Sequence, residues 1–271
     1  MTQEAVTTTG GVAPSRRAGA RRSFGISLEV VSLVILVIVW QIAAMIFPSR
    51  LFPTPLVVAA EMWELTVNGR LIADMGKTLT RTAISFAVAM VLGTIIGIAF
   101  GRNRALDRLF STWVVIGLNV PAIVIAIVLY IWLGLTEFAL ILAVTLNKLP
   151  VVIATIREGV RSFSRDYDEL AAAFRFSTWR RLRLITTPQL MPFVLAAART
   201  GLSLIWKIVL VFEVLGSDGG IGFRIQTFFQ FFDITGIFAY TIAFIIVVFI
   251  FEYLVLRPIE GRVLRWRADH S

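Results

Sequence analysis

Six stretches of this chain, at about 28–47, 79–100, 109–134, 137–156, 192–215 and 237–256, are apolar over the length that a helix needs to cross a bilayer. A hydrocarbon layer of roughly 30 Å requires about 20 helical residues rising about 1.5 Å each. Backbone N–H and C=O groups have no water to bond to in lipid, so a span must be a helix or part of a closed barrel. None of the six stretches alternates with the two-residue period of barrel strands. The expected fold is therefore an all-α membrane protein with six transmembrane helices. Composition agrees, because 58% of the residues are hydrophobic and 16% are charged, against about 25% charged in soluble domains.

Basic residues orient the spans, since short loops rich in Lys and Arg stay on the cytoplasmic side. One set of non-membrane segments holds eighteen: Arg16, Arg17, Arg21 and Arg22, then Arg102, Arg104 and Arg108, seven from Arg157 to Arg183, and four from Arg257 onward. The other set holds four, Arg50, Arg70, Lys77 and Arg224. Both termini and the 157–191 loop are thus expected in the cytoplasm. The expected organisation is a disordered cytoplasmic tail over 1–27, a transmembrane domain over 28–257 and a cytoplasmic tail over 258–271. The first apolar run is too long for the core of a cleavable signal and lacks an Ala-x-Ala site, so it reads as a spanning helix. The net charge of +9 is explained by basic loops beside anionic headgroups and requires no nucleic acid.

Catalytic chemistry is not visible. The single histidine, His270, stands next to the C-terminus, and there is no cysteine, so histidine triads, paired-histidine zinc sites and thiolate metal sites are excluded and no metal site is expected. Gly76-Lys77-Thr78 imitates the end of a phosphate-binding loop, but the glycine required five residues earlier is Leu71. Any ATP hydrolysis belongs to another chain.

The segment between spans four and five, about 160–190, has its own logic. Asp166, Asp168 and Glu169 open a short helix, where acids suit the helix dipole. Ala171, Ala172 and Ala173 favour helix and let a partner surface approach. Ser177 is placed to cap a second short helix through 178–186, and Pro188 and Pro192 to stop it before span five. The alternative is a basic amphipathic strip, with Trp179, Arg180, Arg181 and Arg183, adsorbed on lipid. Lipid adsorption needs no acid and no proline at fixed offsets, which favours docking.

With its spacing the segment reads Glu169-x-Ala171, Arg175 six residues after the Glu, then Ile185-x-Thr187-Pro188. It resembles the Glu-Ala-Ala-x3-Gly-x9-Ile-x-Leu-Pro coupling loop of permease subunits of bacterial ABC importers, with Arg175 for Gly and Thr187 for Leu. Leu51-Phe52-Pro53-Thr54-Pro55 with the stretch through Trp63 and Leu65, Gly93 to Arg102, and Trp206 to Ser217 are similar to phrases of the nitrate/sulfonate/taurine group. The resemblance covers about residues 30 to 260. It implies an inner-membrane homodimer, coupling through Asp168, Glu169, Ala171, Arg175, Ser177 and Pro188, two cytoplasmic ABC ATPase subunits that carry ATP and Mg, and an extracytoplasmic substrate-binding protein. It implies no cofactor in this chain. Arg175 is expected to be strained, or to require a different turn, where the family's glycine takes positive φ freely.

Polar groups stranded in apolar spans are expensive and mark pathways or structural pairs. Lys148 lies near the middle of span four beside Asn147, and Pro150 removes the usual donor to the Leu146 carbonyl. Lys148 either meets a small anion or pairs with Glu213. Lys207, beside Trp206, lies about 240° around the helix from Glu213. Asn119 and Pro121 mark a kink or a site in span three. Two lysines against one mid-span acid favour an anion path. Ala87, Gly93 and Gly97 allow close helix contact within the chain or with a second copy.

The expected function is a non-enzymatic permease subunit that forms the pathway for a small anion of the sulfonate, nitrate, taurine or carboxylate kind. The alternatives are the same importer carrying a neutral or cationic heterocycle such as a vitamin precursor, or a self-sufficient secondary transporter, against which the lack of a repeat and the few mid-span acids count.

Overall fold

In the computed structural model the described residues are 28–49, 51–256 and 258. The tails expected at 1–27 and 258–271 therefore lie, but for Pro258, outside them. Among the described residues there is no β-strand, only an isolated bridge between Ser49 and Phe52. The helices are α1 (Leu28–Ile46), α2 (Pro55–Val67), α3 (Leu71–Arg102), α4 (Arg104–Asn119), α5 (Ala122–Leu133), α6 (Glu137–Arg161), α7 (Arg165–Ala173), α8 (Thr178–Arg181), α9 (Thr187–Leu215), α10 (Ile221–Gln230) and α11 (Ile234–Phe251), with π-helical turns at Leu182–Thr186 and Glu252–Leu256.

Four of these helical runs are long and apolar enough to cross a membrane: α3, α6, the run that ends in α9, and the one that begins with α11. The expected third span, 109–134, is not one helix: α4 and α5 meet at 98°. Pro121 lacks an N–H and biases Val120 away from helical angles, and Val120 is indeed extended at φ −68° and ψ 124°. Counting that bent pair as one span gives five, and α1 is a shorter apolar helix. Span two also begins earlier than expected, at Leu71 instead of 79.

Helix α3 packs along α6 through a row of small residues. A side chain on Gly93, Gly97 or Gly101 would strike Val152, Ile156 or Val160 at 2.6, 2.7 and 2.5 Å. Between apolar helices in lipid there is little hydrophobic drive to associate, so this close approach and its dispersion contacts hold the pair. The Gly93/Gly97 partner is thus inside the chain, while Ala87 is exposed and takes no part. The main core joins Leu140, Val144, Ile205, Val209, Phe212 and Tyr240 from α6, α9 and α11. Tyr130 of α5 donates to the Phe212 carbonyl at 3.0 Å. Trp40 of α1 donates to the Pro53 carbonyl at 3.1 Å and stands 5.5 Å from Phe238 of α11.

Candidate functional site

The segment between α6 and α9 folds as two short helices. Ser164 caps α7 by accepting from the Asp166 N–H, and Ser177 caps α8 by accepting from the Arg180 N–H. Glu169 is exposed on α7, and the Asp168 side chain lies outside the described residues. Of the three alanines expected to meet a partner, Ala171 is buried within the chain, while Ala172 and Ala173 are exposed.

Helix α7 ends in a paired-hydrogen-bond turn. Phe176 N–H reaches the Ala171 carbonyl at 2.9 Å and Arg175 N–H reaches that of Ala172 at 3.1 Å. This pattern needs a left-handed residue at the position after the cap, and Arg175 supplies it at φ 49°. The turn expected of a glycine is therefore kept, with an arginine bearing a strain of about 1 kcal/mol.

The second helix does not stop at Pro188, contrary to expectation. Chain direction is kept from Thr178 through Leu215, with Pro188 in the first turn of α9 and Pro192 inside it. The wider π turn at Leu182–Thr186 accommodates the missing proline donor: Thr187 N–H and its hydroxyl both turn to the Leu182 carbonyl. Ile185 and Thr186 are buried there, and Arg102, at the end of α3, donates to the Thr186 hydroxyl at 3.1 Å. Gln189 accepts from the Ser164 N–H at 3.2 Å, closing the segment on itself.

At the opposite end of the bundle lies a polar clamp that sequence reasoning missed. Arg81 of α3 donates to Glu213 of α9 at 2.8 Å, to Asp218 at 3.0 Å, to the Gly219 carbonyl at 2.6 Å and, in a bidentate pair, to Glu137 at the start of α6. Glu213 also accepts from Thr78 and from the Gly222 N–H, both at 2.9 Å. Asp74 accepts from Arg224 at 2.8 Å, from Tyr240 at 3.1 Å and from the Gly220 N–H at 3.2 Å. Gly220 takes φ 101°, and a side chain there would meet the Glu213 carboxylate at 2.3 Å. The Gly-rich turn after span five is thus held by fixed bonds. Asp218 lies outside the spans; slight burial would raise its carboxyl, but Lys77 at 3.5 Å and Arg81 outweigh that and hold it below the usual carboxylate range. Gly76-Lys77-Thr78 sits mid-helix, with Lys77 on Asp218 and Thr78 on Glu213, and forms no phosphate loop.

The clamp had a signal. Asp74, Thr78, Arg81 and Ser85 repeat at the spacing of one helix face, but a span begun at residue 79 leaves half of that stripe outside.

The expected pathway residues lie in different surroundings. Lys148 is 2% exposed, packs over Gly201, and its Nζ has no hydrogen-bond partner among the described residues, nor has Thr145 Oγ1. The alternative pairing of Lys148 with Glu213 is overturned, because Glu213 is taken by Arg81. Trp206 is a core residue against Phe244 and Phe251. Asn147 is half-buried. Asn119 and Pro121 are exposed at the bend, with the Asn119 amide turned to the Val115 carbonyl. Lys207 is exposed on an α9 face that also carries Thr200 and Ser203.

Residues 89–257, which include the whole α7–α9 segment, match the family of binding-protein-dependent transport system inner membrane components. The chain belongs to that family. It is an inner-membrane, multi-pass ABC importer permease. The permease is 25% identical over 94% of its length to a putative aliphatic sulfonates transport permease of Bacillus subtilis, covering 93% of that protein. It is 26% identical over 88% of its length to the riboflavin transport system permease of Chloroflexus aurantiacus, covering 90%. It is 25% identical over 90% to the taurine transport system permease of Escherichia coli, covering 91%. In fold it is similar to a chain of the inward-facing MetNI methionine ABC transporter, with a TM-score of 0.62 and 19% identity over 72% of the permease and 96% of that chain.

Proposed function

We propose that two copies of this permease enclose the membrane pathway of an ATP-driven importer for a small anion of the sulfonate or taurine kind, delivered by an extracytoplasmic binding protein. The observation that carries the reading is the α9 face bearing Lys207, Thr200 and Ser203. Lys207 lies about 12 Å of helix from Leu215, and its exposure to lipid alone would cost about 2.5–3.5 kcal/mol or more. A second copy whose own α9 faces it gives the ammonium a polar, water-accessible setting. The only acid on α9, Glu213, is turned inward to Arg81, so the face is cationic and suits an anionic solute. Lys148, enclosed within the subunit, sits behind this face and acts on the packing of α6 against α9.

Six spans are completed by α1 and the bent α4–α5 pair, with both termini and the α7–α8 segment in the cytoplasm. There two ABC ATPase subunits, which hold ATP and Mg, grip the α7 knob at Glu169, and their closure rocks α9 through the Leu182–Thr186 turn. This chain holds no cofactor.

A second reading is a neutral or cationic heterocycle as solute, because the riboflavin relative and a formylaminopyrimidine transport permease of Halalkalibacterium halodurans, at 24% identity over 91% of the chain, are as similar as the sulfonate relatives. The test is uptake by proteoliposomes carrying the permease with its genomic-neighbour ATPase and binding protein. ATP-dependent accumulation of taurine or an alkanesulfonate supports the anion reading. Accumulation of a pyrimidine alone transfers the assignment to the heterocycle, and uptake without ATP overturns the importer reading.

A further inference from the structure

Between the end of α3 and the α8–α9 junction lies a cavity of about 480 Å³ that the transport reading does not use. Its polar lining is Arg102, Arg181, Thr178 and Thr186, its walls are Phe163 and Phe176, and no acidic residue among the described residues lines it. Two carboxylates at the start of α4 and the end of α6 are taken by arginines of α6: Asp107 accepts from Arg157 and Arg161, and Glu158 accepts from the same two. Arg102 spends one N–H on the Thr186 hydroxyl and keeps the rest of its planar fork. An arginine and two hydroxyls around a recess of this size, with no acid among its described lining, match a phosphate monoanion, which accepts charge-assisted hydrogen bonds from such a set.

The surroundings select the source of that phosphate. The recess lies at the ends of α3 and α6, helices long and apolar enough to span a membrane, where headgroups are expected; Leu182 lines it, and Leu182 and its chain neighbours Trp179 and Leu184 are exposed apolar side chains. A free cytosolic anion gains nothing from such neighbours, whereas an acyl chain below a headgroup does, and tryptophan favours that interface.

We propose that this recess is a binding site for the phosphate headgroup of an anionic phospholipid. The headgroup bridges Arg102 on α3 and the α8–α9 junction, so the lipid ties the coupling segment to the transmembrane bundle. The inference stands on the cavity and its charge and is independent of the solute.

The test is native mass spectrometry of the full-length chain extracted from vesicles of equal parts phosphatidylglycerol and phosphatidylcholine. The wild type retains phosphatidylglycerol in preference to phosphatidylcholine. Arg102→Gln weakens that retention about tenfold, whereas Arg108→Gln, an exposed basic residue outside the recess, leaves it unchanged. Arg102→Lys keeps charge and fold and loses only the fork, weakening retention by about twofold to threefold. Equal retention of the two lipids overturns the proposal, because the recess then does not select an anionic headgroup, and an equal loss in Arg108→Gln overturns it as bulk charge attraction. Inorganic phosphate that displaces the lipid at millimolar concentration, or that binds while the lipid does not, assigns the recess to a free anion and overturns the lipid source. If Arg102→Gln elutes aggregated, Arg181→Gln and Arg102→Lys carry the comparison, and unchanged retention in both overturns it.

Discussion

The Arg81 guanidinium meets the Glu213 carboxylate at 2.8 Å, with the two side chains 3% and 0% exposed. Arg81 is shared by Glu137 and Asp218 as well, so its loss strands more charge than the loss of any one partner. Breaking a buried pair from one side costs about 3–5 kcal/mol. Arg81→Ala is expected to destabilise the permease by at least that much, and Glu213→Gln by less, because Thr78 and Gly222 still have an oxygen to bond. Thermal unfolding in mild detergent gives the order; equal losses in the two variants would remove the hub role from Arg81.

Glu169→Ala removes an exposed carboxylate that bonds to nothing in this chain's described contacts, so folding and expression are expected to be unchanged. ATP-driven uptake in the assembled importer falls at least tenfold, and co-purification of the ATPase weakens. Normal uptake by this variant would remove the docking role from α7.

Arg175→Gly restores an unstrained left-handed position and is expected to stabilise the α7 turn by about 1 kcal/mol. Arg175→Val, β-branched at the same φ, destabilises it by more. Hydrogen exchange at the Phe176 amide, bonded to Ala171, reports the turn directly; slower exchange in the valine variant would contradict the account.

Lys148→Met replaces an unpartnered buried amine with an apolar chain of similar length and is expected to raise stability by about 1–3 kcal/mol. The apparent affinity for the transported anion stays the same. Lys207→Met, on the exposed face, is expected to cut anion uptake about tenfold without changing the melting temperature. The reverse pattern would return Lys148 to the solute path and make Lys207 structural.

Gly97→Leu forces atoms into Ile156, whose Cβ lies 2.7 Å from where the first added carbon would sit. Overpacking of this kind costs about 1–3 kcal/mol or more. Reduced yield of folded protein is expected, with partial rescue by Ile156→Ala; no rescue would place the obstruction elsewhere.

Much of this architecture is legible in the sequence because lipid imposes a simple rule on spans, and the 169–188 motif fixes its register by the offset of its proline from its acid. Hydropathy alone does not see the 98° bend, since α4 and α5 remain apolar on both sides of Pro121. It also trims span two at residue 79, because Asp74 and Lys77 look like loop residues until their partners, Tyr240 and Asp218, arrive from far along the chain. Lys148 looked like an ion-pair member because a single chain of letters shows which charges exist and not which are already claimed.

Helices α3 and α6 are meshed at three successive turns, Gly93 with Val152, Gly97 with Ile156 and Gly101 with Val160. Two rods keyed together in this way bend and slide only as one beam, since relative sliding drives the side chains of α6 into the backbone of α3. Give is expected first at joints that no such row locks, among them the α4–α5 corner and the π turn at the foot of α9. Under the proposed coupling, a load applied at α7 passes a stiff spine and is taken up at joints of that kind.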